Sequence, residues 1–186
     1  APQISQAFTV AKGTPIITFT SSVPTDAKVN GSVYQPAAIT TGSGTITFSV
    51  DSGSSSICSI SNGRVSFIGV GNCRINADVA SNTNWEAAAT VSQTFAVTTS
   101  IQTISFTSTA PTNARFGGSG YTPTTSNGAG TAPVVMSVAA SSLLICSIAN
   151  GVISYIGVGT CTLNINKAAD GTFDAAAQVQ QSFEIA

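Results

Sequence analysis

The sequence predicts an all-β chain of two tandem antiparallel β-sandwich domains. Three observations predict it: an internal repeat, alternation of apolar with small polar residues, and turn-forming Gly, Asn, Ser and Pro at short spacing. The repeat sets the domain count. A separation of 87 residues pairs Pro24 with Pro111, Gly31 with Gly118, Tyr34 with Tyr121 and Pro36 with Pro123. One extra residue between Pro123 and Met136 raises the separation to 88, which then pairs Cys58 with Cys146, Asn62 with Asn150, Cys73 with Cys161, Trp85 with Phe173 and Phe95 with Phe183. Between Ile57 and Ile75, 12 of 19 aligned positions are identical. This period is well above the roughly 20–50 residues of a solenoid unit, so each copy is expected to bury its own core.

The division is therefore residues 13–99 as the first domain and 100–186 as the second. Residues 1–12 stand outside it. Ile4-Ser-Gln-Ala-Phe-Thr-Val10 matches Val91-Ser-Gln-Thr-Phe-Ala-Val97 and Val179-Gln-Gln-Ser-Phe-Glu-Ile185, the segment that closes each copy. Residues 1–12 thus read as the closing strand of a preceding repeat or as an N-terminal extension, and the chain has three closing strands for two bodies.

Within a copy, Ile17-Thr-Phe-Thr20, Thr45-Ile-Thr-Phe-Ser-Val50, Val65-Ser-Phe67 and Cys73-Arg-Ile-Asn-Ala77 alternate with period two, as strands with one face in a core do. Asn62-Gly63 and Asn150-Gly151 fall between alternating runs, where a two-residue hairpin turn needs positive φ. Helix signals are confined to Trp85-Glu-Ala-Ala-Ala89 and Phe173-Asp-Ala-Ala-Ala177, each long enough for about one turn before the closing strand.

Composition excludes several functions. Charged residues are 7% of the chain, six basic against seven acidic. Such a surface cannot neutralise a phosphate backbone, so nucleic acid is not an expected partner. No stretch approaches the roughly 18 apolar residues of a membrane span, so no membrane insertion is expected, and the N-terminus lacks a signal-peptide pattern. With no histidine and carboxylates scattered at Asp26, Asp51, Asp78, Glu86, Asp170, Asp174 and Glu184, no nucleophile with a base and no spaced acid pair stands out. The reading is a non-enzyme without a cofactor.

The four cysteines fall two to a copy, Cys58 with Cys73 and Cys146 with Cys161. An even count in a poorly charged, Ser/Thr-rich chain points to disulfides, and within-copy pairing is the simplest of three connectivities. Two thiols per copy without histidine cannot supply the usual four zinc ligands unless the copies join, so no metal is expected.

The run Asn62-Gly-Arg-Val-Ser-Phe-Ile-Gly-Val-Gly-Asn-Cys-Arg-Ile-Asn-Ala77 and its copy Asn150-Gly-Val-Ile-Ser-Tyr-Ile-Gly-Val-Gly-Thr-Cys-Thr-Leu-Asn-Ile165 resemble the bacterial immunoglobulin-like (Ig-like) repeat of large surface and secreted adhesin-type proteins. The Gln-x-Phe-x-Val/Ile closing strands and Ile-x-Phe-x-Ser openings look like the same repeat. The resemblance implies two tandem Ig-like antiparallel β-sandwich domains. The two cysteines mark a disulfide-bearing subgroup, since Cys73 and Cys161 stand where members often carry alanine, and the acidic clusters of calcium-dependent repeats are missing.

For function it implies a structural stalk or spacer repeat of an extracellular bacterial surface or fibre protein involved in adhesion, with neighbouring repeats of the same protein as partners. A carbohydrate- or protein-binding adhesive module is the alternative: Trp85, Phe173, Tyr34 and Tyr121 could stack on host or cell-surface glycans, although for Trp85 and Phe173 the favoured reading is a cap on the end of the sandwich. A further alternative is a self-associating filament subunit using its N-terminal strand, with Ile4, Phe8 and Val10 as donor side chains.

Overall fold

The computed structural model describes residues 3–186. The chain divides into two compact units, one ending at Thr98 and the other beginning at Thr99. Thr98 is held in the first: its carbonyl accepts from the Val29 amide at 3.0 Å and its hydroxyl from Lys28 Nζ at 2.9 Å. The Thr99 hydroxyl donates to Asp174 in the second, so the division falls one residue before the one read from the repeat.

Unit 1 comprises β1 (Ile17–Phe19), β2 (Ala27–Lys28), β3 (Ala38–Thr40), β4 (Ile46–Val50), β5 (Cys58–Ser61), β6 (Arg64–Phe67), β7 (Gly71–Val79) and β8 (Val91–Thr98). One sheet has the order β2-β8-β7-β4, antiparallel except for the parallel β2–β8 edge. The other layer combines β1–β3 with β5–β6. Tyr34 joins these pairs, exchanging backbone hydrogen bonds of 2.9 and 2.7 Å with Val65 before the chain enters β3. Pro36, which has no N–H to donate, interrupts that strand. The first strand is split, β1 in one layer and β2 in the other, with Pro24 in the crossing. Strands β1, β3, β6 and β5 against β4, β7 and β8 reproduce the two-layer distribution of an immunoglobulin-type sandwich.

Unit 2 repeats this with β9 (Ser105–Phe106), β10 (Thr125–Ser126), β11 (Val134–Val138), β12 (Cys146–Ala149), β13 (Val152–Tyr155), β14 (Gly159–Lys167) and β15 (Val179–Ile185). Its sheet runs β11-β14-β15, and a parallel bridge from Ala114 to Ile185 stands where unit 1 has β2–β8. The Tyr121–Ile153 bridge repeats Tyr34–Val65.

Alternation builds the core. In β7, Cys73, Ile75, Ala77 and Val79 are buried, and in β14 Cys161, Leu163, Ile165 and Lys167. Removing the apolar residues of these faces from water is the main stabilising term. The β5–β6 and β12–β13 hairpins turn at Asn62 (φ 49°) and Gly63 (φ 72°), and at Asn150 (φ 50°) and Gly151 (φ 78°). Two successive positive φ values are what a type I′ turn requires, and Asn and Gly adopt them at least cost.

Cys58, at the start of β5, is joined to Cys73 in β7 with Cα atoms 5.8 Å apart, and Cys146 to Cys161 likewise. Each bridge links one layer to the other through the core.

The short helical turns read at 85–89 and 173–177 do not form. Trp85 forms a parallel bridge with Gly13 and the Ala88 amide donates to Val79 at 3.0 Å; Phe173 bridges Ser100 and the Ala176 amide donates to Lys167 at 3.0 Å. Five residues cannot offset the cost of nucleating a helix when a sheet offers backbone partners. Among the described residues no helix is long and apolar enough to cross a membrane.

Candidate functional site

A polar group that recurs in both units is a Tyr–Gln–Ser knot between the layers. The Tyr34 hydroxyl donates to Gln93 Oε1 at 2.5 Å and lies 2.6 Å from Ser21 Oγ, while Gln93 Nε2 donates to the Ser21 carbonyl at 2.8 Å. In unit 2 Tyr121 donates to Gln181 Oε1 at 2.9 Å, meets Ser108 Oγ at 2.6 Å, and Gln181 Nε2 donates to the Ser108 carbonyl at 2.9 Å. The rings stand edge-on to Phe95 (centroids 5.6 Å, 81°) and Phe183 (5.8 Å, 85°), a favoured aromatic geometry. Tyr34 and Tyr121, read from the sequence as ligand platforms, thus have hydroxyls occupied inside their own unit and rings in the core clusters.

Trp85 and Phe173 sit at the N-terminal end of their units. A Cβ on Gly13 would fall 2.8 Å from Trp85 Cζ3, and one on Gly42 would fall 2.9 Å from Trp85 Cδ2. The indole is wedged between two backbone segments that lack side chains. In unit 2 the position of Gly13 is Ser100 and the aromatic is the smaller Phe173, so ring and residue change together. Trp85 and Tyr34 share no neighbour among those named.

The same end of unit 2 is rewritten in polar residues. Pro15, Val79 and Asn82 of unit 1 correspond to Gln102, Lys167 and Asp170. Lys167 is 1% exposed and donates to the carbonyls of Asn127 at 2.6 Å and Gly130 at 3.3 Å. Gln102 Nε2 donates to Ala168 O and Asp174 O, and its buried Oε1 has no partner among the described residues. Hydrogen bonds from the backbone amides of Thr131, Thr172 and Phe173, in that order, lower the Asp170 pKa from the usual carboxylate range to about 2. Asn82 fills this role without charge, accepting from the Asn84 and Trp85 amides at 3.0 and 3.1 Å. Burial, with a smaller contribution from Tyr121, raises the Tyr155 phenol.

Residues 3–12 lie in no strand, and Ile4, Phe8 and Val10 are 93%, 85% and 79% exposed. Among the described residues no three His, Cys, Asp or Glu side chains come together as a metal cage would need.

The sequence does not mark Gln181, Ser21 and Ser108 as a site, nor Ser54 and Ser142. These last two are buried; their hydroxyls donate to Asn72 and Thr160 carbonyls at 3.0 Å and accept from Arg74 and Thr162 amides at 3.1 Å. Their identity across the repeat was the available signal.

No protein-family model and no curated protein matches the chain. Solved structures with a similar course include domains 4 and 5 of the S-layer protein SbsC, at 12% identity and TM-score 0.35, covering 94% of this chain and 99% of that one. Drosophila N-cadherin EC1-3 gives 8% and 0.31, covering 94% and 68%. The Sidekick-1 immunoglobulin domains 1-5 give 14% and 0.37, covering 91% of this chain and 38% of that one. All three TM-scores fall under 0.5, and the functional reading rests on this chain's own residues.

Proposed function

We propose that the chain is a structural repeat module of an extracellular protein, serving as a stalk or spacer in an array on a bacterial surface or fibre involved in adhesion. The observation that carries this reading is the internal use of the recurring groups. In both units the same Tyr, Gln, Ser and Cys positions bond within the unit, so what the repeat preserves is a self-contained sandwich. Disulfides persist in oxidising surroundings, which supports an extracellular location. Ser, Thr and Asn solvate the surface without drawing charged partners. On this reading residues 1–12 close a preceding repeat, and function resides in length and durability.

The test is to present the oxidised chain to whole cells and a broad glycan panel, and in parallel to time its digestion by a non-specific protease with and without reductant. No saturable binding, with digestion at least about tenfold faster after reduction, is expected if each bridge contributes about 3 kcal/mol. Saturable binding to a surface or glycan would replace the stalk by an adhesive module. The filament reading has one observation of its own, the exposure of Ile4, Phe8 and Val10.

A further inference from the structure

A closing strand performs three tasks here. In β8, Gln93 opposite Ile75 completes the Tyr34–Ser21 knot, Phe95 opposite Cys73 is 6% exposed against the Tyr34 edge, and Val97 between Gly71 and Ala27 is 1% exposed. In β15, Gln181 opposite Leu163, Phe183 opposite Cys161 and Ile185 opposite Gly159 repeat all three. Residues 4–10 carry this set in the same spacing: Gln6, Phe8 and Val10, with Ser5 matching Ser92 and Ile4 in the place of Val91. Yet they lie in no strand, and Phe8 and Val10, the counterparts of the two apolar side chains that β8 buries, are open to water.

Addition to a free sheet edge, such as β4 or β11, would satisfy the backbone alone. It would leave Phe8 without an aromatic edge to pack on and Gln6 without a tyrosine hydroxyl. A segment selected for an edge needs only alternation, whereas this one has the glutamine that a knot requires. Neither unit of a second intact copy offers the slot, because β8 and β15 occupy it and are held there at the high effective concentration of a tethered strand.

We propose that residues 4–10 are a complete closing strand whose partner is the body of another repeat of this type that lacks its own, where Gln6 bonds the Tyr and Ser of the knot and Phe8 and Val10 fill the core. This rests on reading the units as repeats of one array.

The test mixes the full chain, as donor, with a probe of residues 11–178, in which unit 2 lacks β15 and no donor segment remains. Light scattering after size exclusion should show a one-to-one complex. Deleting residues 1–10 of the donor, or Phe8→Asp, should weaken it about 100-fold or more, the scale of losing a buried aromatic, and Gln6→Ala more modestly. If a peptide of residues 178–186 restores the probe and the full chain does not bind it, the proposal is overturned. Where neither binds, the decision passes to the full chain carrying Val179→Ile, Gln180→Ser, Ser182→Ala, Glu184→Thr and Ile185→Val, which writes the segment's sequence into β15. Retention of the unit 2 unfolding transition within a few degrees supports the proposal, and its loss overturns it. The array reading fails by a separate result, saturable binding to a cell surface.

Discussion

Tyr34→Phe isolates the knot from the packing around it. The substitution keeps the ring edge-on to Phe95 at 5.6 Å and deletes one oxygen, which is hydrogen bonded to Gln93 at 2.5 Å and lies 2.6 Å from Ser21. Two contacts are lost, and Gln93 Oε1 is left part-buried without its donor. At about 1 kcal/mol net for each hydrogen bond, and up to about 3 kcal/mol where a buried acceptor is orphaned, the expected cost is about 1–3 kcal/mol. With a urea m-value of about 1–3 kcal/mol/M for a domain of this size, the midpoint falls by about 1 M. Trp85 is the only tryptophan and lies in unit 1, so its fluorescence in a urea titration reports that unit. Gln93→Met should cost a similar amount, and the double variant should fall short of the sum by about 1 kcal/mol, because the second change removes a partner already lost. A shift below about 0.5 kcal/mol, or strict additivity, would refute the claim that the knot ties the layers together.

Replacing Cys146 and Cys161 by serine should lower unit 2 stability by about 3 kcal/mol on the loop-entropy model, leaving the Trp85-monitored transition of unit 1 in place; equal loss in both units would contradict two independent cores. Because the folded pKa of Asp170 is about 2 against an ordinary value of 3.8, its contribution to unit 2 is complete above about pH 4 and disappears as pH falls through about 2. Thermal unfolding of unit 2 should therefore weaken across that window, and Asp170→Asn should flatten the dependence; an unchanged slope in the variant would assign it to other carboxylates. Gly13→Ala places a Cβ 2.8 Å from the Trp85 ring and should destabilise unit 1 by about 1–3 kcal/mol. Gly13→Ser combined with Trp85→Phe, the unit 2 pairing, should recover part of that loss in the same titration; no recovery would show that ring and residue are not coupled.

Much of a unit was legible from local pattern. The period of two in Cys73-Arg-Ile-Asn-Ala77 foretells the buried face of β7, and Asn62-Gly63 foretells a hairpin, because strand pleat and turn dihedrals are properties of neighbouring residues. The reading of 85–89 and 173–177 as helical turns went astray for the complementary reason: alanine propensity is local, whereas the bridges from Trp85 to Gly13 and from Phe173 to Ser100 are supplied by segments far back in the chain. The aromatic candidates show the same limit. Recurrence marked Tyr34, Tyr121, Trp85 and Phe173 as important but could not separate a binding face from a packed one.

By itself the sequence determined the all-β class, the repeat and its period, the hairpin turns and the kinship of residues 4–10 with the closing strands, since each is written in spacing along the chain. Only the tertiary structure decided which layer each strand joins, that the cysteines link the two layers, that Gln93 and Gln181 meet Tyr34 and Tyr121 across roughly 60 residues of chain, and that Gly13 makes room for an indole. These depend on approach between segments far apart in sequence, which no periodicity encodes. Residues 4–10 show the division plainly: their pattern matches β8 and β15, yet they lie in no strand.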